Sequence, residues 1–468
     1  MSRQKKLSFE PPRHQGTKSL CLGVLVVVLA LFAYHSAQGA PQAERKAAIS
    51  IGIPLSLELR KLAVADFRVH SPGLGPLVEV FNRVVWNDLD NSGVFDLVSK
   101  SFYPQNVPGR GEELAAPGAL AAWADPPVGA QLLAFGNASL VSGNLVVEGF
   151  LYDTTGSARP QILARRYTDV TTEAAARVIA HRFADAILQL AGGGLPGIAE
   201  SKIYFVRQAG PGRKDIWVMD YDGANQRPVT QYRNLTLTPA VSPDGSKLGF
   251  TSYMEGSPKV FILSLVSMKR LPFLNVSGSL NTTPAWSPDG RRMAFAASLE
   301  GHSQIFVADE DGRNARRLTS TGGVNIYPQW NPKTGAQIAF VSDRGGLPQV
   351  YLMDSDGATV RRLTEGDGDA VQPCWSPNGM TIAFSWTRGF APGNYNVFLL
   401  DVASGKLVQL THGAGRNEHP WFSPDGRQIV FESDRNGGKQ IFTMLADGTR
   451  VRALTTAGTN TAPLWSLK

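Results

Sequence analysis

Hydrophobic and polar positions follow two different rules along this chain. Up to about residue 192 the apolar period changes from one segment to the next. The run KLAVADFRV, Lys61 to Val69, is continuous enough for a buried strand. Leu77, Val80, Phe81, Val84, Val85 and Leu89 then keep the three- and four-residue spacing of an amphipathic helix, which Gly93 stops. VFDLVSK predicts a second strand, GAQLLAFGNASLVSGNLVVEGFLYD a hairpin turning at Ser-Gly-Asn, and RPQILARRYTDV a third strand. Thr171 or Thr172 caps a closing helix with Ala176, Ile179, Ala180, Phe183, Ile187 and Leu190 on its apolar face and Gly192 to Gly194 at its end. The pattern predicts a small α/β domain over 41–192 and a Gly-Pro linker, GGGLPGIAE, that joins it over 193–200 to a second region.

From Ser201 the pattern repeats. TTPAWSPDGRRMAFAAS, Thr282 to Ser298, has near-copies in TPAVSPDGSKLGFTS, YPQWNPKTGAQIAFVS, QPCWSPNGMTIAFSW and HPWFSPDGRQIVFES. The marker prolines are Pro239, Pro284, Pro328, Pro373, Pro420 and Pro463, at separations of 45, 44, 45, 47 and 43 residues. A period in the mid-forties with four strand-like runs per unit predicts β-propeller blades. The region opens on KIYFVRQ, which matches the second strand of a unit, and ends on APLWSLK, which matches the first. The two ends together make one blade, so residues 201–468 predict an all-β six-bladed β-propeller closed by its C-terminal strand. Trp286, Trp330, Trp375 and Trp465, with Val241 and Phe422 at the same position elsewhere, are expected to wedge between blades.

Composition agrees with a large folded chain rich in turns: 468 residues, 43% hydrophobic and 18% charged, with 48 glycines and 30 prolines. Arg3, Lys5, Lys6, Arg13 and Lys18 precede an apolar run of 15, Leu20 to Tyr34, and small residues come after it. This order predicts a signal peptide over 1–40, cleaved near Gly39 or Ala40, and a periplasmic protein. The leader holds five basic residues and one acid, or +4 of the formal +7, so the mature chain carries only about +3 and no nucleic-acid partner is expected. Cys21 falls within the leader, which leaves Cys374 alone, without a disulfide or a Cys-based metal site.

Ser-Pro-Asp-Gly is a turn prescription rather than a catalytic pair, because proline presets φ, aspartate bonds nearby backbone and glycine accepts positive φ. The Asp-x-Asp-Gly stretches at Asp220, Asp309 and Asp354 read as hairpin turns rather than calcium loops. His70, His181, His302, His412 and His419 have no metal-ligand spacing, and the chain has neither a Gly-x-Ser-x-Gly elbow nor a phosphate loop. No metal, cofactor or catalytic residue is therefore assigned. One set of positions invites a partner. The segments NTTP, NIYP, AVQP, NEHP and NTAP enter the innermost strands and so ring one mouth of the channel. Their asparagines either make local turn bonds or present amides to a partner. The candidate binding residues are Asn281, Asn325, Gln372, Asn417, Glu418, His419 and Asn460.

An export leader, a small α/β domain, a Gly-Pro linker, six repeats of the form xPxWSPDGxxIAFxS and a closing P-x-W-S strand resemble the TolB-like six-bladed propeller family of the Tol-Pal system, over about Ile49 to Lys468. The resemblance implies a non-enzymatic periplasmic adaptor. It implies that the propeller mouth binds a Pal-like peptidoglycan-associated lipoprotein, and that the mature tail, PQAERKAAIS, engages a TolA-like inner-membrane protein. The protein would then lie peripheral to the outer membrane through its partner and serve envelope integrity and constriction at division. Two other classes stay open: a hydrolase or lyase using Glu418 and His419 in the channel, and a scaffold for an unrelated partner.

Overall fold

The structure is a computed structural model and describes residues 59–466 except 195 and 300. The expected export leader, residues 1–40, and the tail PQAERKAAIS fall outside the described residues.

The first part is a mixed sheet with two long helices on one face. Its strands are β1 (Arg60–Val64), β2 (Arg68–Val69), β3 (Phe95–Leu97), β4 (Leu132–Val141), β5 (Asn144–Asp153) and β6 (Gln161–Val170). The order is β3-β1-β4-β5-β6 with β2 beside β4; β1 runs parallel to β3 and β4, while β4, β5 and β6 form antiparallel hairpins. The helices are α1 (Gly75–Asn91) and, after a single turn α2 (Ala121–Ala124), α3 (Glu173–Ala191). Thr172 caps α3, its hydroxyl accepting from the Ala175 N–H at 3.2 Å. Phe81, Val84 and Val85 of α1 meet Ile179, Phe183 and Ile187 of α3 over Leu62, Leu132 and Val147 of the sheet. Two details depart from the sequence pattern. The expected strand Lys61–Val69 breaks into β1 and β2 around Phe67, whose ring turns into the core against Phe81 and Phe183. Leu190 lies exposed near the end of α3 rather than on its buried face.

The second part is six four-stranded antiparallel sheets arranged as the sequence predicts. Blade 1 takes its inner strand, Asn460–Ser466, from the end of the region and its next three, Lys202–Gly210, Arg213–Asp220 and Arg227–Pro228, from the beginning. The pairing runs from Asn460 opposite Arg207 to Ser466 opposite Lys202. The inner strands of blades 2 to 6 are Thr236–Val241, Leu280–Trp286, Asn325–Trp330, Ala370–Trp375 and Asn417–Phe422. Each second strand buries one phenylalanine, from Phe205 to Phe431, between adjacent sheets. The tryptophans wedge as expected, and two of them are also anchored this way: the indole N–H of Trp286 donates to the Ala240 carbonyl and that of Trp375 to the Gln329 carbonyl, each on the preceding inner strand. At Ser-Pro-Asp-Gly, the Ser287 hydroxyl donates to Asp289 and accepts from the Arg292 N–H, with Gly290 at φ 69°.

Alternation of strands sends the Ser-Pro-Asp-Gly and Asp-x-Asp-Gly turns to one face of the ring, and the entries to the inner strands to the other. The α/β domain docks on the first face through a buried polar bolt. Asp88 of α1 lies 2.7 Å from His181 Nδ1 of α3 and accepts from the Tyr221 hydroxyl of blade 1, while Arg177 of α3 donates to Asp222 at 2.6 Å. Tyr221 in turn stacks on Trp465, so the bolt rests on the strand that closes the ring. Trp465→Ala removes a side chain that is 4% exposed and packed between blades 1 and 6. This substitution is expected to cost about 3–5 kcal/mol of unfolding free energy in a urea titration, whereas truncating the exposed Leu274 should cost less than about 0.5 kcal/mol.

Candidate functional site

The free face of the propeller surrounds the narrow end of the central channel. Each inner strand carries a β-bulge there, at the residue just before its marker proline. Those six residues, Thr238, Thr283, Tyr327, Gln372, His419 and Ala462, all adopt left-handed backbone conformations, with φ from 48° to 57°. A non-glycine residue rarely adopts this conformation, and a proline after it restricts it further, so something must hold it in place. In four of the six, a side chain of the preceding blade does so by accepting the residue's N–H. Thr251 accepts from Thr283, Thr283 from Tyr327, Gln372 from His419, and Glu432 from Ala462. The bulge re-aims each side chain, and together with the prolines the six line the channel.

The structure places the predicted residues in two layers. Asn281, Asn325, Asn417 and Asn460 are 0–1% exposed, so their amides are not offered at the mouth. Asn325, Asn417 and Asn460 each donate to a carboxamide on the third strand of the preceding blade: Gln304 at 3.1 Å, Asn396 at 3.3 Å and Gln440 at 2.9 Å. Each also accepts from an arginine, Arg344, Arg435 or Arg207, whose guanidinium lies over aromatic rings of its own blade. Asn281 instead bonds both backbone groups of Val276 in the entering loop. Of the two readings open to these asparagines, the structure shows the local one, and its physical reason is that an amide can tie a bulged inner strand to the neighbouring blade. The residue two positions further on is the one that reaches the channel. Tyr327 and the two threonines escape a search for charge and amides; the signal for them is the position before the proline.

Gln372, Glu418 and His419 do come together. The Gln372 carboxamide nitrogen is 2.9 Å from His419 Nε2, and the Tyr327 ring meets the imidazole edge-on at 6.3 Å. His419 Nδ1 lies 3.2 Å from Glu432 Oε2, close but out of line for a hydrogen bond. Glu432 comes directly after the buried phenylalanine of its second strand, where the other blades carry Val206, Thr251, Ala296, Val341 and Ser385. Lys439 bridges its carboxylate at 2.7 Å and that of Glu418 at 3.2 Å. Burial alone would raise the Glu432 carboxyl, but the His419 ring and the Lys439 ammonium outweigh it and hold the group at about 2. Oxygen and nitrogen atoms of Glu418, His419 and Glu432 lie within 4.8 Å of one another, a spacing that suits a metal ion. The chain's own ammonium already bridges both carboxylates.

The free space within the ring is about 60 Å³, enough for one or two waters and too small for a substrate. The other end of the channel is wider, about 310 Å³, and lined mainly by proline, Trp286, Trp330, Trp375, Trp421 and Trp465. The one thiol among its lining residues, Cys374, is pushed up to about 12 by burial and is a poor nucleophile. The accessible surface at the narrow end is a rim of bulged side chains around a narrow channel.

Residues 55–159 match the TolB amino-terminal domain, and residues 192–391 and 364–468 match the TolB beta propeller domain. The chain belongs to the TolB family. It is 31% identical over 216 residues to the Tol-Pal system protein TolB of Cereibacter sphaeroides, covering 45% of this chain and 46% of the relative. It is 34% identical over 272 residues to a protein TolB homolog of Chlorobium chlorochromatii, covering 58% of each. The aligned segments thus span about half the length of the curated relatives. The crystal structure of TolB from Acinetobacter baumannii superposes with a TM-score of 0.72 at 25% identity, covering 88% of this chain and 97% of that one.

The layered mouth has two measurable outcomes. Asn417→Ala removes the acceptor of Arg435 Nη2 and one of the two donors to the Asn396 carboxamide oxygen, and is expected to lower unfolding free energy by about 1–3 kcal/mol. Glu432 titrates below its ordinary 4.5 when folded, so its stabilisation is complete above pH 4.5 and lost as pH falls toward about 2. That stabilisation is on the order of 3 kcal/mol. Urea titrations across this window should show a shallower acid loss for Glu432→Gln than for the parent; an identical loss would remove Glu432 as the source.

Proposed function

We propose that this chain is a non-enzymatic periplasmic adaptor of the Tol-Pal system that docks a Pal-like peptidoglycan-associated lipoprotein on the free face of its propeller. The observation that carries the reading is the ring of six bulged residues around a pore too narrow for a substrate, on the face opposite the α/β domain. Tyr327, Gln372, Glu418 and His419 form the polar arc of that rim, and the exposed Leu280, Val324 and Leu347 form an apolar arc beside it. Aromatic and apolar anchors flanked by satisfied polar groups suit a protein surface. Asn281, Asn325, Asn417 and Asn460 serve the interface by holding the rim in shape. Export to the periplasm, a TolA-like contact through the tail PQAERKAAIS, and service to outer-membrane integrity and constriction at division complete the reading.

A pull-down from envelope extract with the purified mature chain tests it. Recovery of a peptidoglycan-binding lipoprotein by the parent is expected, with Tyr327→Ala and His419→Ala each weakening it by more than ~1 kcal/mol while thermal melting shows a folded propeller. Equal recovery by parent and variants would move the site off this face, and recovery of no lipoprotein would overturn the adaptor reading.

A further inference from the structure

The orientation of Gln372 determines the chemical form of His419. Gln372 Oε1 accepts from the His419 backbone N–H at 3.0 Å and from the Ser385 hydroxyl at 2.8 Å. The Ser385 oxygen also accepts from the same N–H at 3.1 Å, so this end of the amide is held by donors on two blades. Rotating the amide would set its NH₂ against the His419 N–H. The nitrogen end therefore meets the ring, 2.9 Å from His419 Nε2. An amide nitrogen can only donate, so Nε2 accepts and the imidazole proton sits on Nδ1, on the side of Glu432.

We propose that Gln372 is a positioning residue that keeps His419 in its neutral Nδ1–H form, and that the mouth binds its partner in this form and loses affinity when His419 takes a second proton at Nε2. This rests on the reading of the mouth as the docking face. The proton comes from solvent and adds to the Nε2 lone pair that now accepts from Gln372. Two donors then face each other across 2.9 Å, and the Gln372 side chain has to withdraw. Its withdrawal removes one of the two acceptors of the His419 N–H and leaves the Ser385 oxygen alone to hold the left-handed bulge, so the rim loosens at blades 5 and 6. The groups facing the imidazole are Glu418 on its own strand, Glu432 on the neighbouring strand of blade 6 and Lys439 in the turn that follows it, and the neutral Tyr327, Gln372 and Ser385 from blades 4 and 5. The carboxylates attract the proton and the carboxamide opposes it. The same geometry bears on metals, since an ion on Nδ1 would force the proton onto Nε2 and into the same conflict.

The full mature chain, labelled with ¹⁵N-histidine, allows a direct test. Long-range ¹H–¹⁵N spectra at neutral pH, with the His419 signals assigned from their loss in His419→Asn, should show a protonated Nδ1 and an unprotonated Nε2. Affinity for the soluble domain of the envelope's peptidoglycan-associated lipoprotein should fall at least about fivefold on acidification, once the same spectra show the second proton on His419 Nε2. In Gln372→Glu a carboxylate accepts the Nε2 proton, so the same pH change should alter affinity less than about twofold. An Nε2–H form at neutral pH, or a parent affinity that stays constant while His419 titrates, would overturn the proposal. If the parent binds no lipoprotein at any pH, the docking reading and the linkage fall together, and the spectra alone decide the role of Gln372.

Discussion

The propeller depends on one constraint: a ring of sheets has no stable partial form with a raw edge at its seam. Backbone donors and acceptors on an unpaired inner strand would lie buried without partners, which disfavours every arrangement except closure. Here the seam is sealed three times over. Asn460–Ser466 pairs with Lys202–Gly210, the Asn460 amide reaches Gln440 of blade 6, and Glu432 of blade 6 accepts the Ala462 N–H. Trp465 carries the seal to the α/β domain through Tyr221 and Asp88. Glu432, which stands where the other five second strands carry neutral residues, therefore lies at the junction where the two ends of the ring meet.

A second constraint shapes the free face. Six inner strands bulge at the same place, and four of the bulges are held by side-chain bonds that belong to the fold rather than to any partner. The backbone frame is thus separated from the side chains mounted on it. Threonine, tyrosine, glutamine, histidine and alanine occupy equivalent positions, so the rim is lopsided although the frame is close to six-fold. A symmetric scaffold with an asymmetric rim can orient a single partner in one way.

The architecture was legible in the sequence because it rests on short-range rules repeated many times. The proline period, the Ser-Pro-Asp-Gly turns and the half-blade at each end of Ser201–Lys468 sufficed for six blades and their closure. The buried helix faces of the α/β domain came from spacing alone, while the break at Phe67 did not, because an aromatic side chain turning into the core interrupts a strand without changing the apolar pattern. At the mouth, the asparagines stood out by composition and proved to be internal ties. The residues that reach the channel are set by a positive φ that no residue type announces, least of all before a proline. Glu432 lies in the wall for a similar reason: its contact with Ala462 joins positions 30 apart in the chain that meet only once the ring is whole.

The closing strand also follows every other strand of the propeller in chain order. The bond between Arg207 and Asn460 spans 253 residues, so blade 1 waits for almost the whole propeller to be synthesised before it gains its inner strand. Such a long loop slows the final step of folding and leaves the edge of Lys202–Gly210 open until then.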